Sequence, residues 1–100
     1  MIRQVFETGE RLPKRTRLSA LCSLVEEVGE LSTEVAISEN LSYKERGPDG
    51  VVGEAIDVII CAIDLIRIDS PNITEEEILD ILETKCDKWM LKTLLRDEGV

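Results

Sequence analysis

An all-α fold is expected, a helical bundle whose four-helix-bundle core is completed by oligomerisation. Apolar residues recur at spacings of 3 and 4 along the long segments, the pattern of helices with one face turned inward. No stretch reads convincingly as a strand. The central segment, Ala55 to Ile66, is apolar nearly all round, and two other helices of a 100-residue chain cannot easily surround it. A helix of that kind is buried on most sides, so a partner chain is implied, most simply an identical one.

The elements follow in chain order. Residues 1–17 form an arm or a short helix, with Ile2, Val5 and Phe6 on one side and the basic run Lys14 to Arg17 after Pro13. A first long helix runs from about Arg17 to about Glu39, where Leu21, Leu24, Val28, Leu31 and Val35 make one stripe. Glu26, Glu27, Glu30 and Glu34 lie opposite. At ~100° per residue all four fall within an arc of roughly 100°. Gly29 inside that acidic stripe leaves room for another backbone or a ligand. A loop from about Asn40 to Gly50 carries the turn signal Gly47-Pro48-Asp49-Gly50. The apolar helix then spans about Val51 to Ile68. The last helix starts at Thr74, an N-cap with Glu77 three residues on to complete a capping box, and Ile73 and Ile78 are placed as a hydrophobic staple. It continues to about Arg96.

Composition narrows the function. The chain reads as one domain, 1–100, without repeats or a low-complexity linker. Its 12 Lys+Arg against 21 Asp+Glu give a net charge of −9. That balance fits neither a binder of nucleic-acid backbones nor one of anionic membranes. Histidine is missing, which excludes His-based triads, Cys-His dyads and His-ligated metals. The cysteines, Cys22, Cys61 and Cys86, form no CxxC and are expected as reduced, buried thiols. The longest apolar run, Val58 to Ile63, is closed by Asp57 and Asp64, far short of the ~20 residues that span a membrane. No signal peptide is visible, and the expected location is cytoplasmic.

The chemistry concentrates in two carboxylate pairs. Glu27 and Glu30 are three apart on the first long helix, with Glu26 beside them, and Glu54 and Asp57 are three apart on the apolar helix. Residues three apart share a face, so each pair can aim at one spot. An acidic stripe on its own is ordinarily a solvated face. Asp57 and Asp64, however, sit inside an apolar helix, where an uncompensated carboxylate is costly. If the two faces meet, like charges raise one another's pKa and oppose folding, and a divalent cation relieves this. With oxygen ligands the fitting ions are Mg²⁺ or Mn²⁺, with Ca²⁺ as a structural option. Lys85, Lys88, Lys92 and Arg96 form a basic stripe with no carboxylate one helical turn away. Such a stripe calls for an external anion, either an acidic helix face or a phosphate. Metal-held carboxylates beside lysines suit phosphoanhydride chemistry.

Glu26-Glu27-Val28-Gly29-Glu30-Leu31 followed by Glu54-Ala55-Ile56-Asp57 resembles the EExxE…ExxD signature of the MazG-like all-α NTP pyrophosphatases. The likeness covers roughly residues 18 to 92. It implies a homodimer or homotetramer, a nucleoside triphosphate substrate, and Mg²⁺-dependent hydrolysis between the α and β phosphates to a monophosphate and pyrophosphate. The implied metal ligands are Glu27, Glu30, Glu54 and Asp57, with Glu26 as a supporting carboxylate that orients water. Lys85 and Lys88, with Trp89, resemble the family's phosphate-binding segment more loosely. Asp64 lies outside the signature; it either extends the acidic site or pairs with Arg or Lys across the oligomer. A non-catalytic helical module for nucleotide sensing or protein interaction is the alternative reading. Phe6, Tyr43 and Trp89 are the stacking candidates for a base.

Overall fold

The computed structural model describes residues 1–99. Four helices follow one another: α1 (Ile2–Arg11), α2 (Arg17–Ser38), α3 (Gly50–Asp69) and α4 (Glu75–Asp97). No strand occurs among the described residues.

Local chemistry explains the boundaries. Thr16 caps α2 by accepting the Ser19 N–H at 3.1 Å. At the other end Asn40 takes the left-handed conformation (φ 58°), and the Leu41 and Asn40 N–H groups close onto the carbonyls of Ala36 and Ile37. This six-to-one closure satisfies carbonyls that a helix end otherwise leaves open. The capping box of α4 forms as expected: Thr74 Oγ1 accepts the Glu77 N–H at 3.1 Å, and Glu77 Oε1 accepts the Thr74 N–H at 3.3 Å. Ile73 packs against the core cluster that contains Ile78, consistent with a staple.

Antiparallel packing of α2 on α3 is the main contact, and α1 lies against α3. The small core joins Ile2, Ile63 and Ile78, with Val5, Phe6 and Ile73 around them. The face of α2 toward α3 includes Ala20, Leu24, Glu27, Leu31 and Glu34, of which Ala20 and Glu34 are buried. The acidic stripe is thus not simply a solvated face: two of its members point inward. Three of the five residues of the expected apolar stripe, Leu21, Val28 and Val35, are left uncovered. Gly29 has nothing within 4 Å of where a Cβ would be, so no backbone of this chain uses the space it leaves.

Beyond Ile78, α4 packs broadly on no other helix, and Leu79, Leu82, Trp89, Met90, Leu91 and Leu94 are exposed. Cys22 and Cys86 are exposed and Cys61 is half-buried, which corrects the expectation of three buried thiols. The two exposed cysteines lie on helix surfaces that nothing else in the chain covers.

Asp64 resolves differently from both expectations. Its carboxylate accepts Arg15 Nη2 at 2.5 Å and Arg67 Nε and Nη2 at 3.1 and 2.9 Å, all within one chain. This cluster ties the segment before α2 to the end of α3. Gly9 of α1 packs directly over it: a Cβ there would lie 2.5 Å from Asp64 Oδ1 and 2.6 Å from Arg67 Nε. Replacing Asp64 by Ala leaves two guanidinium groups facing each other without their acceptor. The expected loss is about 2–4 kcal/mol, read from urea unfolding. Gly9→Ala should destabilise through the same cluster, and a Gly9→Ala protein as stable as the parent would contradict this packing.

Candidate metal centre

The site is built at the α2–α3 contact. Both helices are regular through it, so Glu27 and Glu30 project from one turn of α2, and Glu54 and Asp57 from one turn of α3. Glu27, Glu30 and Glu54 each offer an oxygen within 4.8 Å of the other two. Asp49, Glu54 and Asp57 form a second such group, sharing Glu54. Both sequence-derived pairs therefore converge.

Asp49 is the member that sequence reasoning missed, because Gly-Pro-Asp-Gly reads as a turn. It occupies the N-cap position of α3, yet its side chain makes no capping hydrogen bond. The carboxylate is instead gathered with Glu54 and Asp57. Two glycines permit this. Gly50 starts the helix at φ +66°, a conformation that side chains resist. A Cβ at Gly53 would collide with the side chain of Asp49.

The electrostatics are those of crowded like charges. Burial raises the Glu27 carboxyl above its ordinary value, and the neighbouring charges of Glu30, Asp57 and Glu26 push the same way. Glu54 is raised by burial, then by Glu30, Asp57 and Glu27. One oxygen on each, Glu27 Oε2 and Glu54 Oε2, is buried and without a hydrogen-bond partner. The ion pairs among the described residues are Arg15–Asp64, Arg67–Asp64 and Arg17–Asp69, so none reaches these carboxylates. Converging carboxylate oxygens, two of them buried and unpaired, with neither nitrogen nor sulfur ligands among them, fit a hard divalent cation such as Mg²⁺ or Mn²⁺.

Beside them opens a cavity of about 510 Å³, whose lining includes Glu26, Gly29, Glu30, Glu34, Lys44 and Glu54. Gly29 thus fronts open space at the carboxylates. Lys85, Lys88 and Trp89 are not brought here. They lie on the free length of α4, and Trp89 is 74% exposed. Phe6 belongs to the small core and Tyr43 is fully exposed on the loop. No protein-family model matches the chain, nor does any curated protein or solved structure.

The raised carboxyls give a signed prediction. Their folded-state values exceed the unfolded ones, so the folded form binds more protons as pH falls toward the ordinary glutamate value of 4.5. Their repulsion therefore costs stability at neutral pH and is relieved on acidification. Asp69 runs the other way: the Arg17 hydrogen bond lowers it below 3.8, and its contribution fades only as pH falls through that lower range. Calorimetry should show that Mg²⁺ or Mn²⁺ raises Tm at pH 7.5 and that the gain shrinks toward pH 5. Glu54→Gln should raise Tm in metal-free buffer and lose the metal response.

Proposed function

We propose that the protein is a Mg²⁺-dependent nucleoside triphosphate pyrophosphohydrolase of the MazG-like kind, working as a homo-oligomer. One observation carries the reading: Glu27 and Glu30 of the EExxE segment meet Glu54 of the ExxD segment, at least 24 residues away in sequence, and Glu27 and Glu54 each bury one unpaired oxygen there. Buried carboxylates that repel one another are poor structural glue, whereas they suit the capture of a divalent cation.

Glu27, Glu30, Glu54 and Asp57 would hold the cation, with Asp49 within reach of the α3 pair. A bound Mg²⁺ supplies charge neutralisation at phosphate oxygens and a more acidic water. Glu26, exposed at the cavity edge, is placed to orient a water and accept its proton. Lys85 and Lys88 hold phosphate oxygens only if a second copy of the chain supplies them, since α4 leaves its own α2–α3 pair.

The exposed surface area supports association. The chain exposes 8060 Å², against about 5,700 Å² for a compact monomer of its mass. Its radius of gyration is 16.8 Å, against about 13 Å for 100 compact residues. The excess of roughly 2,400 Å² per chain is the scale of an obligate interface. Val52, Ile56 and Ile59 of α3 and the apolar residues of α4 are the surfaces to be covered. Light scattering on an eluting peak should give the mass of two or four chains, and a stable monomer at micromolar concentration would contradict the assembly.

The activity test is pyrophosphate release from a panel of NTPs and dNTPs with Mg²⁺. Glu30→Ala and Asp57→Ala should each lower the rate by roughly a thousandfold or more while helicity persists. Turnover at the parent rate in both variants would refute the metal assignment.

A further inference from the structure

We propose that Lys44, on the loop between α2 and α3, grips the phosphate groups of a metal-bound triphosphate, and that Glu34 positions it. This rests on reading the neighbouring carboxylates as a metal-dependent phosphoanhydride site.

Glu34 is a buried acid in the α2–α3 contact, only 5% exposed. Its Oε1 accepts the backbone N–H of Gly47, across 13 residues of sequence. Its Oε2 is buried with no partner, and the side chain lines the same cavity as Glu30 and Glu54. A half-satisfied carboxylate in such a place is costly as a structural element. Its one visible task is to tether the loop. Gly47 suits that approach, because a Cβ there would lie 2.6 Å from Glu34 Oε1 and the carboxylate would have to shift.

The tether lies three residues beyond Lys44 and brings that side chain to the cavity lining. Lys44 is the one cation in that lining, and among the described residues it pairs with no carboxylate. The remaining charged lining residues are acidic. Once those acids hold a metal, a triphosphate entering the cavity presents oxygens that the metal leaves free. A lysine is a compact charge on a flexible stem, suited to phosphate oxygens at varied positions. It also gives each chain a phosphate contact of its own, which α4 does not provide in cis.

The test is calorimetric titration of the full-length protein with Mn²⁺ alone, then with α,β-methylene triphosphates of the common bases in saturating Mn²⁺. Lys44→Ala should bind Mn²⁺ no more weakly than the parent, yet bind the analogue about 10- to 100-fold more weakly. Lys44→Arg should recover most of that loss. Glu34→Ala should weaken the analogue too, and should add nothing further in the Lys44→Ala background, as expected when one residue acts through the other. Analogue affinity of Lys44→Ala within twofold of the parent overturns the role of Lys44. Additive losses in the double variant overturn the positioning role of Glu34. If the parent binds neither Mn²⁺ nor the analogue, the metal-site reading falls and this proposal falls with it.

Discussion

Mutual repulsion of carboxylates wedged between α2 and α3 is the constraint around which this molecule is arranged. Glu27, Glu30 and Glu54 share one small space, with Asp49 and Asp57 at its edge. The helix pair that holds the chain together is also the pair that forces these charges together. In an ordinary helical hairpin the facing positions are apolar, and burial of that area stabilises the contact. Here Glu27 and Glu34 take inward positions on α2, where Leu or Ala would pack without penalty. Stability is given up at the place where the proposed cation would restore it, a relation often found between functional sites and their folds.

The rest of the architecture supports that pair from outside. The Arg15–Asp64–Arg67 cluster, covered by Gly9, fixes α1 and the start of α2 against the far end of α3. The core of Ile2, Ile63 and Ile78 sits near the same end. At the opposite end the loop is pinned by Glu34 and closed by the Gly50 turn. What the chain does not do is cover itself. Apolar residues of α2, α3 and most of α4 face outward, and a core this small leaves little stability for a lone monomer. The proposed association and the proposed metal binding would address different deficits, one of unburied area and one of unbalanced charge.

The helices and their ends were legible in the sequence because their causes are local. The Thr74–Glu77 capping box, the Ile73–Ile78 staple and the loop before Gly50 depend only on near neighbours. The two carboxylate pairs were legible because i, i+3 spacing fixes a shared face whatever the tertiary fold. Three things were not legible. Asp49 looked like turn chemistry, and only the packing around Gly53 shows its carboxylate turned toward Glu54. Glu34 looked like part of a solvated stripe, since periodicity does not reveal which side of an amphipathic helix its neighbour will cover. Asp64 read either as an extension of the acidic site or as a partner of Arg or Lys across an oligomer, whereas Arg15, 49 residues away, and Arg67 engage it within the chain. The Glu34 and Asp64 misses are contacts across 13 and 49 residues, which a one-dimensional pattern does not encode, whereas Asp49 turns on local backbone geometry at Gly50 and Gly53.

The central claim is that the carboxylates at the α2–α3 contact hold a divalent cation rather than the basic stripe of another copy. Anomalous diffraction from crystals grown with Mn²⁺ decides this directly. The account predicts an anomalous peak coordinated by Glu27, Glu30, Glu54 and Asp57. A map with no peak there, and with Lys85 or Lys88 of a second copy paired to those carboxylates instead, would contradict it.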